Sequence, residues 1–397
     1  MGRALPMDGV VVADFSRVLA GPYATMLLAD LGATVIKVER PGTGDDTRGW
    51  GPPWTEHSSS YFESVNRGKR SVVLDLADEH DQEAARELVR RADVLVENFR
   101  PGVLDRCGLD PDSARELNPG LIYASISGFG TGAGAELPGY DFVVQAVGGL
   151  MSITGSPDGP PTKVGVAVVD VLTGKDLAFG ITAALRHRDA TGEGQHVRVN
   201  LLSSLLSSLV NQMSGLLTTG VPPERMGNRH PSIAPYETLR CEDALLAVAV
   251  GNDEQFRRLT EALGLLGMAD EPRFATNAAR VANREALVER LENVLGARPA
   301  ADWQERLHRV GIACGQVNDL SRALHYAESL GLSPMIDPGD GAAAQVRSPV
   351  EFTATGVVDP IAPPRLGEHD AEVRDWLAAD PTALAPLTDH PSRGGPR

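Results

Sequence analysis

One carboxylate, Asp170, stands out in the stretch TKVGVAVVDVLTGKDLAFGITAALRHR, which spans residues 162–188. The pattern predicts a buried strand, VGVAVVD, then a short turn and an apolar helix, with Asp170 at the carboxyl end of the strand. A carboxylate among apolar neighbours and helix N-terminal amides can act as a base or a nucleophile. It can equally serve only to stabilise the dipole of the following helix, although Thr173, with Asp176 three residues on, is the better N-cap candidate. These residues leave both roles open.

Basic residues recur in the loops that follow successive strands of the first half of the chain. They are Arg17, Lys37, Arg40, Arg48, Lys69, Arg70, Arg100 and Arg106. Most lysines and arginines only solvate a surface. The carboxyl ends of parallel strands meet at one edge of a sheet, however, and there these charges would form an anion site. A helix that begins at Gly21 would add backbone amides for a phosphate.

Other motifs carry weaker signals. The segment GFGTGAG, residues 128–134, matches a dinucleotide-binding pattern, but neither a clean helix start nor a suitably spaced acid follows it, so we interpret it as a loop. The histidines lack the helical spacing of metal ligands, so no metal site is predicted. His230, in GNRHPSIAPYE, is either a structural loop residue or a contact of a lid.

Strands alternate with helices along the first half of the chain. This alternation predicts βαβ units in an α/β fold with a doubly wound, mainly parallel, Rossmann-like sheet, whose ligands bind at the strand ends. A long apolar helix is predicted from about 197 to 220, and the last residues, TDHPSRGGPR, are expected to be disordered. We assign a large domain to 1–200 and 340–397, a linker helix to 201–225, a small α/β domain to 226–325 and a return linker to 326–339.

Composition narrows the class of protein. The 397 residues include 42% hydrophobic and 23% charged residues and carry a formal net charge of -16. Such a composition is typical of a soluble globular protein, and the acidic charge argues against nucleic acid as a partner. No run approaches the roughly 18 apolar residues of a membrane span. With 3 widely spaced cysteines and no signal peptide, we expect a cytoplasmic location.

Several segments together resemble the family III CoA-transferases, also called the carnitine-CoA-transferase and bile-acid-inducible family. They occur in family order and cover the chain from about residue 8 to 330. The segments are DFSRVLAGPYATMLLADLGATVIKVERPGTGDDTR, YFESVNRGKRSVVLDL, ADVLVENFRPGVLDRCGL, LNPGLIYASISGFG, GYDFVVQAVGGLMSITG, VVDVLTGKDLAFGITAAL and GEGQHVRVNLLSS.

The resemblance implies that Asp170 is a covalent nucleophile and that CoA is a substrate rather than a tightly bound cofactor. It implies an interlocked homodimer, threaded through segments near 197–225 and 320–345. Amides around TGK or in the turn VGNDE would stabilise oxyanions. Specificity for the acids is expected around GNRHPSIAPY and VGNDEQ, where Arg225, Arg229 and His230 are the candidates for holding a second carboxylate of a dicarboxylic acceptor. By position, the CoA contacts would be Arg17, Val18, Leu19, Ala20, Arg40, Leu74, Asn98, Phe99 and Arg106.

Two departures from the family pattern bear on the reaction. Members that act on formate and oxalate are similar in having a glycine-run lid, whereas AVGNDEQF here has only Gly251, followed by Asn252, which argues against that substrate pair. The racemase branch has a histidine before the aspartate of GYDF, whereas Tyr140 stands here, and its phenol is a poor base near neutral pH. The racemase branch also has, in the turn AVGNDEQF, an acid slightly longer than Asp253. Tyr140 and Asp253 together favour a CoA-transferase over a 2-methylacyl-CoA racemase. A non-catalytic CoA sensor of the same fold is the third hypothesis.

Overall fold

The computed structural model describes residues 5–358 and 361–379. The chain divides into two compact units. The large unit comprises the described parts of Met1–Leu150, Val164–Gly220 and Ser333–Arg397. The small unit comprises Met151–Lys163 and Val221–Leu332.

Strands and helices are numbered here in chain order. The strands are β1 Val11–Asp14, β2 Thr34–Glu39, β3 Lys69–Val73, β4 Val94–Glu97, β5 Ile122–Ser127, β6 Gln195–Asn200, β7 Tyr236–Arg240, β8 Leu245–Ala249, β9 Ala313–Gln316, β10 Met335–Ile336 and β11 Gln345–Val346. The helices are α1 Ala20–Asp30, α2 Ser60–Glu63, α3 Glu79–Arg91, α4 Pro111–Leu117, α5 Asp141–Val147, α6 Leu150–Ile153, α7 Val168–Thr191, α8 Leu201–Ser208, α9 Val210–Thr219, α10 Asp253–Ala262, α11 Asn277–Ala282, α12 Arg284–Leu295, α13 Ala300–Arg309, α14 Leu320–Ser329 and α15 Asp370–Ala378. Short 3-10 turns cover Asp46–Gly49, Asp105–Cys107 and Met268–Asp270.

The large unit is built on a parallel sheet of six strands in the order β3-β2-β1-β4-β5-β6. This is the doubly wound order in which the direction of winding reverses between β1 and β4. The prediction of a doubly wound α/β fold is therefore confirmed. The loops after β1 and β4 leave the sheet side by side at this switch point, where such sheets bind their ligands. Arg17 and Asn98 lie in these two loops.

Both faces of this sheet are buried. On one face, residues such as Val12 and Val94 pack against α1, α7 and α8. The next residues along the strands, Ala13 and Leu95, face the opposite side, which α3, α4 and α15 cover. The alternation follows from the two-residue period of a strand, and burial on both sides explains why β1, β2 and β4 are recognisable as continuous apolar runs.

The predicted strand VGVAVVD is wrong, because α7 begins at Val168. Branched valines favour a strand, but here the carboxylate of Asp141 accepts a hydrogen bond from the backbone amide of Val169 at 2.8 Å and so stabilises the start of a helix. Asp170 lies in the first turn of that helix and not at a strand end. Thr173 is not the N-cap, since its hydroxyl donates to the carbonyl of Val169 at 2.8 Å within the helix.

The predicted long helix over residues 197–220 is also wrong. The sixth sheet strand, β6, ends at Asn200, and the side chain of Asn200 then accepts a hydrogen bond from the amide of Ser203 at 2.8 Å. This N-cap separates β6 from α8. The apolar stretch that follows is divided into α8 and α9 at Leu209.

The small unit contains an antiparallel sheet in the order β7-β8-β9, with α10, α12 and α13 packed around a separate apolar core. No helix in the described part of the chain has the length and apolar character needed to span a bilayer. The terminal segment TDHPSRGGPR lies outside the described residues.

Candidate active site

Asp170 occupies the first turn of α7 and is half-buried. Burial raises the pKa of its carboxyl group to about 7, and the charge of Asp141 raises it in the same direction. Within residues 5–358 and 361–379, no group donates a hydrogen bond to this carboxylate. The helix dipole favours its ionised form, and a carboxylate without hydrogen-bond donors keeps its lone pairs free for an incoming electrophile.

Asp141, at the first position of α5, is held between two elements. One of its oxygens accepts from the amide of Val169 at 2.8 Å, and the other accepts from the Gln145 side-chain amide at 2.7 Å. The Gln145 oxygen in turn accepts from the amide of Val164 at 2.9 Å. This chain of bonds fixes a negative charge beside the start of α7. The sequence reasoning considered only the neighbouring Tyr140 and missed Asp141.

Helix α7 approaches the N-terminus of α1 very closely. A Cβ atom on Gly174, one helical turn beyond Asp170, would lie 2.7 Å from the carbonyl oxygen of Ala20 and 3.0 Å from the ring of Tyr23. Residues four apart share one face of a helix, so Asp170 and Gly174 lie on the α7 face that meets the loop after β1. Leu19, the N-cap of α1, provides no side-chain cap.

Four of the predicted CoA contacts line one pocket of about 230 Å³ at the strand ends of the large unit. They are Arg17, Arg40, Leu74 and Phe99. The guanidinium of Arg17 lies 5.0 Å from the centre of the Phe99 ring, and the carboxylate of Asp46 pairs with both Arg17 and Arg40. An aromatic ring, an aliphatic floor and two cations suit a purine with attached phosphates.

The remaining predicted CoA contacts do not line this pocket. Arg106 belongs to the 3-10 turn after β4, and Leu19 and Ala20 begin α1. The Asn98 side chain is occupied by protein: its oxygen accepts from the amide of Arg17 at 2.9 Å, and its nitrogen donates to the carbonyl of Arg17 at 2.7 Å. Val18 has a left-handed backbone, with φ of 71°.

Tyr61, in α2, is a candidate that the sequence reasoning missed. Burial raises the pKa of its phenol to about 12, and the charges of Asp170, Asp141 and Asp45 add to the shift in that order. Its ring packs edge-on against Trp50, with centroids 5.3 Å apart. A phenol that stays protonated near Asp170 can donate a hydrogen bond to an oxygen there. The only sequence signal was its place in the family-like segment YFESVNRGKRSVVLDL.

Tyr140 and the predicted residues of the small unit have local roles. Tyr140 is the N-cap of α5 and is 57% exposed. His230 accepts from the amide of Ser232 at 3.1 Å and packs against the Tyr236 ring, with ring centroids 5.1 Å apart. The Gly251 amide donates to the Gln255 side chain at 2.6 Å, and the Asn252 side chain accepts from the Gln255 amide at 2.8 Å, as an N-cap of α10.

The arginines suggested for a second carboxylate are paired within the small unit. Arg225 donates to the carbonyls of Ser156 and Gly159, at 3.3 and 3.0 Å. Arg229 forms an ion pair with Glu285 at 2.7 Å. In the part of the chain that the structure describes, no three His, Cys, Asp or Glu side chains come together as a metal site.

Comparison with known proteins accounts for this combination of sheet, pocket and carboxylate. The family model described as CoA-transferase family III matches residues 7–370. The chain belongs to CoA-transferase family III. It is therefore an enzyme of a class that acts on CoA thioesters and organic acids, and the resemblance inferred from its segments is confirmed.

Two relatives and one solved structure are similar along almost the whole chain. A succinate–glutarate CoA-transferase from Agrobacterium fabrum is 44% identical, over 94% of this chain and 95% of the relative. An acetyl-CoA:oxalate CoA-transferase from Acetobacter aceti is 42% identical, over 94% and 96%. The crystal structure of a CaiB/BaiF family protein from Brucella suis superposes with a TM-score of 0.85 at 43% identity, covering 94% of this chain and 99% of that one.

Proposed function

We propose that this family III enzyme moves CoA from an acyl-CoA to an acceptor carboxylic acid through covalent intermediates on Asp170. The observation that carries the proposal is the half-buried carboxylate of Asp170, which is free of hydrogen-bond donors in the described chain and lies on the α7 face that meets α1. Such a group loses little solvation when it attacks a carbonyl carbon.

The reaction consists of reversible acyl transfers. The Asp170 carboxylate attacks the thioester carbonyl, the C–S bond breaks, and an aspartyl–acyl anhydride and CoA thiolate form. The thiolate then attacks the aspartyl carbonyl, which releases the donor acid and leaves CoA as a thioester on Asp170. The acceptor carboxylate attacks the carbonyl of this thioester, the C–S bond breaks, and a second anhydride and CoA thiolate form. Attack of the thiolate on the acceptor's carbonyl yields the new acyl-CoA and regenerates Asp170.

The 230 Å³ pocket supports the proposed position of CoA. We assign the adenine to Leu74 and Phe99 and the phosphates to Arg17, Arg40 and Arg106. The backbone from Val18 to Ala20 would guide the pantetheine toward α7, because Gly174 holds that helix against Ala20. Asn98 acts through the Arg17 backbone, to which both ends of its amide are bonded. CoA enters and leaves as a substrate, with no tightly bound cofactor.

The acids exchanged are proposed to include dicarboxylic acids. The two relatives above are named for succinate and glutarate and for acetyl-CoA and oxalate. The oxalate-named relative keeps oxalate in the candidate set, although the lid segment here has a single glycine. Because Arg225 and Arg229 are bonded within the small unit, recognition of a second carboxylate would require one of them to change partner.

The racemase and sensor hypotheses are not retained. The named relatives are CoA-transferases, and Tyr140, at the position of the racemase histidine, is an exposed phenol with no base-like partner in its described surroundings.

The experiment that tests the proposed function supplies acetyl-CoA or succinyl-CoA with succinate, glutarate, oxalate, butyrate or benzoate, and identifies new thioesters by chromatography. Transfer to dicarboxylates that disappears in Asp170→Asn supports the proposal. Hydrolysis without transfer to any acid contradicts it.

We also propose that the enzyme is an interlocked homodimer, with segments near 197–225 and 320–345 as the threading segments. The support is apolar surface on the large unit. Phe179 on α7 is 77% exposed, and Val210 and Leu217 on α9 are 69% and 78% exposed. Large apolar side chains left exposed on two helices of one unit are expected of a surface that a partner covers.

A further inference from the structure

The loop that connects β1 to α1 is held by side chains from three other segments. Lys37, on β2, donates to the carbonyl of Ser16 at 2.9 Å. Asn98, after β4, bonds both the amide and the carbonyl of Arg17. Asp45 accepts from the amide of Val18 with both oxygens, each at 3.3 Å. Three consecutive residues of one loop are thus bound through their backbone, which leaves the Arg17 side chain directed at the pocket.

Val18 is the unusual member of this loop. Its φ of 71° lies in the left-handed region, where a residue branched at Cβ persists only when the surrounding structure holds it. The left-handed turn lets the chain reverse from β1 into α1 immediately after Arg17. A relaxed Val18 would return to an extended backbone and would move Arg17 and the first amides of α1 together.

Asp45 can hold this conformation of Val18 because several bonds fix the position of Asp45 itself. Its carboxylate pairs with Lys37 at 2.9 Å, and both side chains are completely buried. It also accepts from the amide and hydroxyl of Thr47, at 3.0 and 2.8 Å. Its backbone amide donates to Glu39 at 2.9 Å.

We propose that Asp45, anchored by Lys37, is a positioning residue for CoA: it holds Val18 in the left-handed conformation and so keeps the loop after β1 in its CoA-binding shape. Neither Asp45 nor Lys37 needs to touch the reacting atoms. The inference rests on the proposed placement of CoA at this sheet edge. Asp45 and Lys37 also border the 230 Å³ pocket, and rescue by Val18→Gly separates positioning of the loop from direct contact with CoA.

The test compares CoA affinity in four proteins: wild type, Asp45→Ala, Val18→Gly and the double variant. Glycine adopts positive φ without steric cost, so it replaces the conformational role of Asp45 but none of its bonds. We expect Asp45→Ala to raise the Kd for CoA roughly tenfold, because the binding-competent loop is less populated. Val18→Gly in the same background should return the Kd to within about threefold of wild type. In steady-state assays, KM for the acyl-CoA should follow the Kd, while kcat changes by less than about twofold.

A matched control separates positioning from general loss of stability. Asp30→Ala breaks another buried ion pair of the large unit, Arg67–Asp30 at 2.7 Å, away from the loop after β1. It should lower the melting temperature and leave the Kd for CoA unchanged. If Asp45→Ala does not fold because Lys37 is left unpaired, Lys37→Met with Asp45→Ala removes both charges. This pair of substitutions also removes the bond from Lys37 to the carbonyl of Ser16, so Val18→Gly is expected to restore the Kd for CoA only in part.

The inference is overturned if Asp45→Ala binds CoA as wild type does, if Val18→Gly fails to restore affinity, or if Asp30→Ala weakens CoA equally. Arg40→Ala distinguishes these failures from an error in the proposed function. If Arg40→Ala leaves CoA affinity unchanged, the CoA pocket itself is misplaced. If it weakens binding while Val18→Gly gives no rescue, only the role of Asp45 is refuted.

Discussion

Asp170 is subject to opposing electrostatic influences. Burial and the fixed charge of Asp141 raise its pKa to about 7, whereas its position in the first turn of α7 favours the charged form. The result is a carboxylate that ionises near neutral pH but remains poorly solvated. Both properties suit a nucleophile that must form and release acyl groups at similar rates.

This raised pKa predicts a pH-dependent effect of Asp170→Asn on stability. Between the ordinary value of 3.8 and about 7, the unfolded chain loses the Asp170 proton before the folded protein does. The free energy of unfolding therefore falls as the pH rises through this interval, and it stays lower above it. From about pH 5 to about pH 8, the free energy of unfolding of Asp170→Asn should rise by about 1–3 kcal/mol relative to that of the wild type. Urea unfolding at the two pH values measures this difference. A gain that is equal at both pH values would refute the shift.

Asp141→Asn tests whether the charge of Asp141 contributes to the raised pKa of Asp170. Removing the charge should lower the pKa of Asp170 and move the rising limb of the pH profile of kcat to lower pH, because one like charge no longer opposes ionisation. The asparagine can still accept from the amide of Val169, so the start of α7 is expected to persist. A matched variant, Asp176→Asn on the exposed side of α7, should leave the profile in place. An unchanged profile in Asp141→Asn would show that Asp141 only caps the helix.

At the scale of elements, strands such as β1 and β4 were predictable, whereas β6 and the start of α7 were not. The strands β1, β2 and β4 are apolar runs bounded by turn residues, so local pattern suffices to predict them. The segment VGVAVVD has the same local pattern but begins a helix, because Asp141 from another helix binds the amide of Val169. Tyr61 was missed for a similar reason: its proximity to Asp170 depends on tertiary contacts.

The residues of the candidate site also fall into two groups: those that the sequence indicated and those that only the structure shows. Arg17, Arg40, Leu74 and Phe99 could be proposed as CoA contacts in advance because strand ends and a family resemblance indicate them, and the structure brings them to one pocket. The Lys37–Asp45 pair could not be assigned, since both residues resemble ordinary surface charges in sequence yet are completely buried. Only the fold shows that Asn98 is bonded to the backbone of Arg17.

The contact between α1 and α7 should be sensitive to one methyl group. In Gly174→Ala, the new Cβ would lie 2.7 Å from a backbone oxygen of α1, so the helices must separate. We expect a loss of about 1–3 kcal/mol in the free energy of unfolding and a lower kcat, because Asp170 lies one turn away. Gly215→Ala, in α9 with open space around the new Cβ, is the control and should not destabilise. Equal activity in both variants would argue against a close α1–α7 approach at the site.

At the scale of the whole molecule, the exposed apolar side chains of α7 and α9 predict self-association. Phe179→Lys should shift the protein from dimer to monomer, or prevent accumulation of folded protein, because it buries a charge in an apolar contact. Glu79→Lys on α3, which covers the opposite face of the sheet, is the charge-change control. Light scattering after gel filtration measures the mass of each. A wild-type protein that elutes as a monomer would contradict the homodimer.

The central claim is that CoA becomes covalently attached to Asp170 during turnover. The most direct measurement incubates the enzyme with succinyl-CoA without an acceptor acid, reduces it with borohydride, and locates the modified residue by peptide mass spectrometry. The account predicts that the carboxyl group of Asp170 is converted to an alcohol, which is the product of a reduced thioester, and that this product decreases when an acceptor acid is added first. Continued CoA transfer by Asp170→Asn, or an active wild-type enzyme that is never modified at this position, would contradict it.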